Sequence, residues 1–247
     1  MAKTVKVPSL QHMARNWRDT PDGVRRKLVA LAKYPPQFSY DPLFAAVRDM
    51  LVLGVPYAQV VEGIRRAEKR AWVRELLIEV LPLIGNHFSG IEPDSPPRRV
   101  ARRYYPLARD IMIPFEAPLE YSVGGQVYFP WFSFWRSNPL ADHRLSLFVT
   151  IVEEVLLQDP DLDQALFQIL DFSIPEGERE RRLLIIDAKD IPRLGESEKR
   201  AMLEVFADGY RLARSELTGS NSDRDTRDDT RRPDPDQRDL FNPDGDQ

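Results

Sequence analysis

The stretch PLEYSVGGQVYFPWF, residues 118–132, is where the sequence changes from helical to strand periodicity. Apolar and polar residues alternate on both sides of Gly124 and Gly125, and such alternation is typical of a half-buried strand. Paired glycines adopt the positive φ angles of a two-residue hairpin turn without steric cost. The stretch therefore predicts a β-hairpin, and the apolar run IMIPF before it, residues 111–115, predicts a further strand.

Helical patterns fill the sequence before the hairpin, where apolar residues recur every three or four positions. The spacing predicts helices over residues 23–34, 41–54 and 55–85, the last as one long helix or two in tandem. Asp41 followed by Pro42 predicts an N-cap and a proline at the first helical position. Pro82 is expected to kink or end the last of these helices, because proline lacks a backbone N–H.

The sequence after the hairpin returns to mostly helical patterns. It predicts a helix over residues 138–158 with Asp142 as its cap, a helix over 159–170, a short apolar strand within 181–192 and a long helix over 196–217. The last helix has a broad apolar face formed by Met202, Val205, Phe206, Tyr210 and Leu212. Together these elements predict a mostly helical α+β fold, with N-terminal helices, a central β-hairpin or small sheet, and C-terminal helices.

Three regions follow from this pattern. Residues 1–92 form a helical region, and residues 93–217 form an α+β region that we expect to share one compact body with it. Residues 218–247 form an acidic tail that has almost nothing to bury, so composition alone predicts that this tail is disordered.

The composition excludes several kinds of site. The 247 residues include no cysteine, which excludes disulfides, cysteine-based zinc sites and thiol nucleophiles. The start lacks the apolar segment of a signal peptide, and no stretch approaches the ~20 apolar residues of a membrane span. His12, His87 and His143 have no metal-ligand spacing. We therefore expect a cytoplasmic protein with no membrane partner, no cofactor and no metal; the oligomeric state does not follow from the sequence.

The net charge is concentrated at the C-terminus. The whole chain carries 35 basic and 39 acidic side chains, a formal charge of −4. Residues 218–247 hold nine Asp and five Arg, so the tail accounts for all of the net charge and the remaining residues are balanced. A balanced body does not favour extensive wrapping of nucleic acid.

Two apolar residues interrupt the acidic tail. Leu240 and Phe241 are the only large aliphatic or aromatic side chains in residues 218–247, and an apolar pair in a solvated segment gains nothing unless a partner binds it. The five residues from Gln237 to Phe241 resemble the pentapeptide motif with which bacterial proteins bind the DNA sliding clamp. Gln237, Asp239, Leu240 and Phe241 match the four defined positions of that motif, whereas Arg238 stands where the family often has an aliphatic residue.

The resemblance implies a partner and a class of function. Proteins with this motif include DNA polymerases, mismatch-repair proteins and some replication inhibitors, and the motif's Leu and Phe fill an apolar pocket of the ring. We therefore expect a bacterial factor associated with DNA replication or repair, which docks on the clamp as a recruiter or as an inhibitor that competes for the pocket. A protein-interaction module with a fortuitous match is an alternative.

A basic stretch precedes the first predicted strand. Its members are Arg98, Arg99, Arg102, Arg103 and Arg109, together with Tyr104 and Tyr105. On a helix, the first, third and last of these arginines would share a face with Tyr105. Guanidinium groups suit phosphates and tyrosines stack on bases, so the arginines are candidates for DNA contact, which would bring the protein to the nucleoid. The alternative is an exposed segment whose arginines pair with nearby acidic residues.

An aromatic run follows the hairpin turn. It consists of Tyr128, Phe129, Trp131, Phe132, Phe134 and Trp135. Strand alternation is expected to place half of these side chains inside, where they would anchor the core. The alternative is a patch that binds a partner, since tryptophan is favoured as an interface anchor.

The segment LLIIDAK, residues 183–189, gives the only hint of catalysis. Asp187 and Lys189, at the end of an apolar run, are similar to half of a PD-(D/E)xK nuclease site, in which two carboxylates hold Mg²⁺ and a lysine steadies the attacking water. Asp171 or Asp161 would supply the other carboxylate. A clamp-tethered, metal-dependent DNA nuclease is therefore an alternative function, and a buried strand with a solvated end is the simpler explanation.

Overall fold

The structure is a computed structural model and describes residues 5–156, 158–162 and 164–219. Within these ranges the chain forms seven helices and six strands, which is the mostly helical α+β fold that the sequence predicts. The N-terminal helices are α1 (Leu10–Asn16), α2 (Pro21–Lys33), α3 (Asp41–Leu51), α4 (Tyr57–Ala67) and α5 (Ala71–Ser89). The later elements are β1 (Arg103–Ala108), β2 (Ile111–Phe115), β3 (Tyr121–Val123), β4 (Gln126–Ser133), α6 (Asp142–Leu156), β5 (Leu166–Asp171), β6 (Leu184–Asp187) and α7 (Glu196–Gly219).

The start of α3 differs from its prediction by one residue. Asp41 is the first helical residue and not the cap, because Tyr40 occupies the N-cap position and its side chain makes no capping hydrogen bond. The hydroxyl of Ser39 accepts the backbone N–H of Asp41 at 3.1 Å and satisfies that free donor from outside the helix. After α3 the chain turns at Gly54, which has a positive φ of 64°.

Residues 55–85 form parts of two helices rather than one, separated by a short break before α5. At the break, the carboxylate of Glu68 accepts the backbone N–H of Arg70 at 2.8 Å. Pro82 does not end α5, which continues to Ser89. Leu81 and Ile84, on either side of the proline, are fully buried, and we attribute the continuity of the helix to this apolar packing, which offsets the missing hydrogen bond.

The predicted hairpin is present and forms one side of a four-stranded sheet. β3 and β4 are antiparallel, and the turn residues Gly124 and Gly125 have φ angles of 59° and 79°. The sheet order is β3-β4-β5-β6, with β4 and β5 parallel and β5 and β6 antiparallel. The predicted strand at residues 111–115 is also present, but it pairs with β1 in a separate two-stranded sheet.

The helix predicted over residues 159–170 was wrong. This segment contains a short 3₁₀ turn, Pro160–Leu162, followed by strand β5. Phe167 and Ile169 pair with β4 residues in a parallel ladder, and helix α6 makes the connection between the two parallel strands. A short apolar run fits a buried strand or a helix equally well by spacing, so pairing with β4 decided the outcome.

β4 has an apolar core on each of its faces. Phe129 and Trp131 belong to a core formed with α1, α2, α6 and α7, whereas Phe132 and Phe134 belong to a second core formed with α3, α4 and α5. The expectation that only half of the aromatic run is inside was therefore wrong, because helices cover both faces of the sheet. Of the run, Tyr128 alone is only partly buried.

The C-terminal helix α7 packs against α2. Its predicted apolar face is correct for Met202, Phe206 and Tyr210, which are buried, but Leu212 is 46% exposed. Ala213 and Leu217 are buried as well, since they continue the three- and four-residue spacing from Tyr210. The helix extends to Gly219, two residues into the region that the sequence predicted as disordered; the rest of that region lies outside the described residues.

The edge strand β6 confirms the predicted strand but not its burial. Leu184 and Ile185 are 57% and 45% exposed, because β6 pairs with β5 on one side only. The explanation of the apolar run from residue 183 to 186 as a buried strand was therefore wrong for these two residues. Within the described ranges, the structure contains no helix whose length and apolar character would let it cross a membrane.

Candidate functional site

A cavity of about 1080 Å³ lies beyond the carboxyl end of β4. Helix α1, the segment before α3, α3 itself and the end of β2 form its walls together with residues 131–135. These residues come from both apolar cores, so the cavity lies where the two cores meet. The carboxyl end of a parallel strand is a common place for ligand sites in α/β sheets, and β4 is parallel to its neighbour β5.

Positive charge predominates in the cavity wall. The arginines that line it are Arg15, Arg48, Arg70, Arg99 and Arg102, and the carboxylates are Asp41 and Glu116. Arg48 is half-buried on α3, and its guanidinium has no hydrogen-bond or ion-pair partner among the described residues. A half-buried charge without a partner is unfavourable unless something else neutralises it.

Two of the arginines share one carboxylate. Glu116 accepts from Nε and Nη2 of Arg102 at 3.1 and 2.9 Å, and its other oxygen lies 3.6 Å from Nη2 of Arg99. Two cations on one anion leave an excess of positive charge at this side of the cavity. The exposed side chains of Arg99 and Arg102 are free to reorient, since surface ion pairs are worth little.

The remaining two arginines have other partners. Arg70 donates to the carboxylate of Glu68 at 2.9 Å and to the backbone carbonyl of Gln37 at 2.6 Å. The guanidinium carbon of Arg15 lies 5.3 Å from the ring centre of Trp135, within the range of a cation–π contact. Both positive charges therefore lie at the cavity wall.

Aromatic rings form the apolar part of the cavity. Trp131, Phe134 and Trp135 are at most 8% exposed and belong to the cores behind the wall. Phe38 and Phe44, by contrast, are only partly buried, and Phe44 packs edge-on against Phe134 at 5.0 Å between ring centres. The partly buried rings leave aromatic surface for a ligand to contact.

Four residues of the cavity wall carry buried side-chain polar atoms with no hydrogen-bond partner among the described residues: Gln11 at Oε1, Trp131 at its indole Nε1, and Tyr40 and Ser133 at their hydroxyl groups. The Gln11 atom is an acceptor, the Trp131 atom is a donor, and a hydroxyl can act as either. Buried polar atoms are almost always paired, so these four atoms are an unusual feature of the wall.

His12 adds a neutral group to the cavity. Solvent reaches its side chain from the cavity, and protein surrounds it on its other sides. This burial, with the positive charge of Arg15, lowers the pKa of His12 from 6.5 to about 4, against an opposing effect of Asp41. His12 is therefore uncharged at pH 7 and contacts the ring of Trp135 edge-on at 5.7 Å.

The basic stretch does not form a helix. Residues 103–108 are strand β1, Arg109 lies in the turn after it, and Arg98 makes an isolated bridge with Glu120. Pairing with β2 imposes an extended backbone on the segment, so the face that a helix would give these arginines does not exist. Arg99 and Arg102 line the cavity, and Arg98, Arg103 and Arg109 do not.

Acidic partners neutralise two of the other arginines of the stretch. Nη2 of Arg98 lies 2.7 Å from Glu120, and Nη2 of Arg103 lies 2.6 Å from Asp159. Tyr105 donates its hydroxyl to Glu154 at 3.1 Å and is not free to stack on a base. Pairing with nearby acids, the alternative to DNA contact, therefore describes these three residues.

The residues of the hypothetical nuclease site are only partly brought together. Nζ of Lys189 lies 3.7 Å from Asp187, whose other oxygen accepts from Gln168 at 2.8 Å. Asp171 pairs with Leu184 at the far end of the β5–β6 ladder, three residues from the Asp187 position, which corresponds to about 10 Å along a strand. The structure does not describe the side chain of Asp161.

Asp171 is a buried carboxylate that is hydrogen-bonded within the protein. It is 2% exposed and accepts from the hydroxyl of Ser173 at 2.9 Å. Burial raises its pKa above the ordinary value, and the hydrogen bonds oppose that shift. Among the residues that the structure describes, no three His, Asp or Glu side chains form a group that could hold a metal ion.

The clamp-motif residues Gln237, Asp239, Leu240 and Phe241 lie outside the described residues. Sequence reasoning missed His12, Arg15, Arg48 and Arg70, which are brought to the cavity by three separate segments. No local pattern marks them, because each looks like an ordinary polar residue of a helix or loop. Searches against protein-family models and curated proteins found no match.

Proposed function

We propose that this protein docks on the bacterial DNA sliding clamp through Gln237, Asp239, Leu240 and Phe241 and acts where DNA is replicated or repaired. The observation that carries the proposal is the sequence of the tail: the match to the clamp-binding pentapeptide coincides with the only large apolar side chains of residues 218–247. The balanced charge of the rest of the chain offers no general attraction to DNA, so the clamp would supply the location.

The expected affinity follows from the few residues involved. Burial of Leu240 and Phe241 contributes about 1.5–3 kcal/mol each, and amide hydrogen bonds of Gln237 add about 1 kcal/mol. Ordering the segment opposes binding by about 1–2 kcal/mol per residue. Because the ordering cost over five residues is as large as these gains, the isolated motif is expected to bind weakly, with a dissociation constant no tighter than micromolar.

The tail also sets how far the body can lie from the clamp pocket. Seventeen residues separate Gly219, the end of α7, from Gln237. A chain of this length spans at most about 60 Å. Docking would therefore hold the globular body close to the ring and to the DNA that passes through it.

Titration of a purified bacterial clamp with the full-length protein and with a peptide of residues 233–247 tests the docking. Replacement of both Leu240 and Phe241 by Ala should weaken both interactions at least about 100-fold, since most of the apolar burial is lost. In a matched control, Thr226 and Thr230, polar residues of the same tail, are replaced by Ala. This control should bind as the unchanged protein does. The proposal is contradicted if the protein with both Leu240→Ala and Phe241→Ala binds the clamp as tightly as the unchanged protein, or if neither protein binds.

Primer extension by a clamp-dependent polymerase distinguishes the two roles. An inhibitor that competes for the pocket should slow extension in proportion to its occupancy, and extra clamp should restore the rate. A recruiter present at substoichiometric concentration should leave extension unchanged while still binding the loaded clamp.

A further inference from the structure

We propose that the cavity beyond the carboxyl end of β4 is a binding site for a nucleoside phosphate, with the phosphates among the arginines and the base against the aromatic wall. This site is made entirely of described residues, so the inference does not rest on clamp docking. Nothing in the motif or the charge balance of the sequence indicates it.

The charge of the wall identifies the ligand as an anion. Five guanidinium groups face two carboxylates there, although basic and acidic side chains are equal in number before the tail. Arg48 is half-buried and unpaired among the described residues, and an anionic ligand would provide the partner that it lacks. Guanidinium groups match phosphate oxygens through paired hydrogen bonds.

The size and lining of the cavity require more than inorganic phosphate. A volume of about 1080 Å³ is at the upper end of small-molecule pockets. The partly buried rings of Phe38 and Phe44 offer apolar, flat surface in the cavity wall. A ligand with both a planar aromatic group and phosphates would use both kinds of surface.

Two of the four unpaired polar atoms in the wall favour a nucleobase as that planar group. The indole Nε1 of Trp131 donates and Oε1 of Gln11 accepts, and neither has a partner among the described residues. The edges of nucleobases carry both acceptors and donors, so one base could satisfy both atoms. A purely aliphatic or benzenoid anion would leave them unpaired.

Calorimetric titration of the full-length protein tests the site. The probes are nucleoside mono- and triphosphates of each base, a short single-stranded oligonucleotide with a 5′-phosphate, an unphosphorylated nucleoside and inorganic triphosphate. The proposal is supported if the nucleotides and the oligonucleotide bind, and if the unphosphorylated nucleoside and inorganic triphosphate bind at least about tenfold more weakly. Tighter binding of the oligonucleotide assigns the site to a strand end, and tighter binding of the free nucleotide assigns it to a soluble ligand.

Variants then locate the binding. Arg48→Ala should weaken binding at least about tenfold, as expected for loss of a charge-assisted contact, whereas Arg66→Ala, an exposed arginine on α4, should have no effect. Trp131→Phe keeps the ring but removes the donor and should reduce the preference between bases. The thermal unfolding midpoint of Trp131→Phe is measured in parallel and shows whether this variant folds. If it does not fold, Gln11→Ala is tested in its place.

Several results would overturn the proposal. They are the absence of binding by every nucleotide probe, equal affinity for inorganic triphosphate, and unchanged affinity in Arg48→Ala. Replacement of Leu240 and Phe241 by Ala should leave nucleotide affinity intact, so failure of clamp docking and failure of this site give different results.

Discussion

A methyl group on Gly209 would lie 2.5 Å from the Cβ atom of Val24 and 2.6 Å from the backbone carbonyl oxygen of Pro21. Helices α2 and α7 therefore approach each other at a position where only hydrogen fits. Helix α2 lies near the start of the described chain and α7 lies at its end, so their contact closes the core that α1 and α6 also form.

Gly209→Ala should destabilise the protein by about 1–3 kcal/mol, the usual effect of overpacking a buried contact. The free energy of unfolding in urea measures this change. Gly63→Ala is the matched control, since Gly63 is a helical glycine with no atom within 4 Å of a built Cβ. That substitution should stabilise by about 0.4–1 kcal/mol, and a loss of equal size in both variants would contradict the close approach.

Arg181→Met should destabilise by about 2–5 kcal/mol. The guanidinium is buried, and its Nη1 donates to the carbonyls of Phe134, Trp135 and Phe172 at 3.2, 3.3 and 2.7 Å. Methionine fills similar space but leaves these acceptors unpaired. Arg182→Met, at an exposed neighbour paired with Glu178, should change the unfolding free energy by no more than about 0.5 kcal/mol.

Asp94→Asn should lower the urea midpoint at pH 7. The carboxylate accepts the backbone N–H groups of Gly124 and Gly125 at 2.9 and 2.8 Å, and these hydrogen bonds lower the pKa of Asp94. A lowered folded-state pKa contributes stability above the unfolded-state value of about 3.9, and this contribution is lost as the pH falls through the folded-state pKa. The difference between the two proteins should therefore disappear in acid. A difference that is independent of pH would show that charge at Asp94 does not hold the hairpin turn.

His12→Gln should reduce the dependence of stability on pH between about 6.5 and about 4. In this window the unfolded chain binds a proton at His12 that the folded protein does not, because burial and Arg15 lower the pKa in the fold. Stability of the unchanged protein therefore falls as the pH is lowered, and glutamine cannot titrate. Unfolding midpoints at closely spaced pH values measure both slopes; equal slopes would mean that His12 titrates normally in the fold.

Local patterns in the sequence predicted the elements that local physics controls. The paired glycines required a turn with positive φ at both positions, and Gly124 and Gly125 adopt it. The spacing of Met202, Phe206 and Tyr210 gave a long amphipathic helix with the correct buried face over that part of α7. These predictions succeeded because turn geometry and helical periodicity depend on neighbours within a few residues.

Predictions failed where partners distant in sequence choose between two local conformations. Residues 159–170 and the arginine stretch after residue 98 have spacings compatible with a helix, yet β5 pairs with β4 and β1 pairs with β2. Burial of the aromatic run on both faces likewise depends on helices α1 to α7 that cover the sheet from both sides. The near-continuous apolar run from Val127 to Trp135 is compatible with burial on both faces, but the pairing partners of the strands have no signal in the local pattern.

The sequence by itself determined helices α2 to α7, the hairpin and the match to the clamp-binding motif, since each resides in a continuous run of residues; it did not mark α1. Only the tertiary structure decided the cavity. Arg15, Arg48, Arg70 and Arg102 lie tens of residues apart in the chain, and packing of α1, α3 and the end of β2 around β4 brings them to one wall. In that packing Arg48 has no ion-pair partner among the described residues, whereas Arg99 and Arg102 share the carboxylate of Glu116.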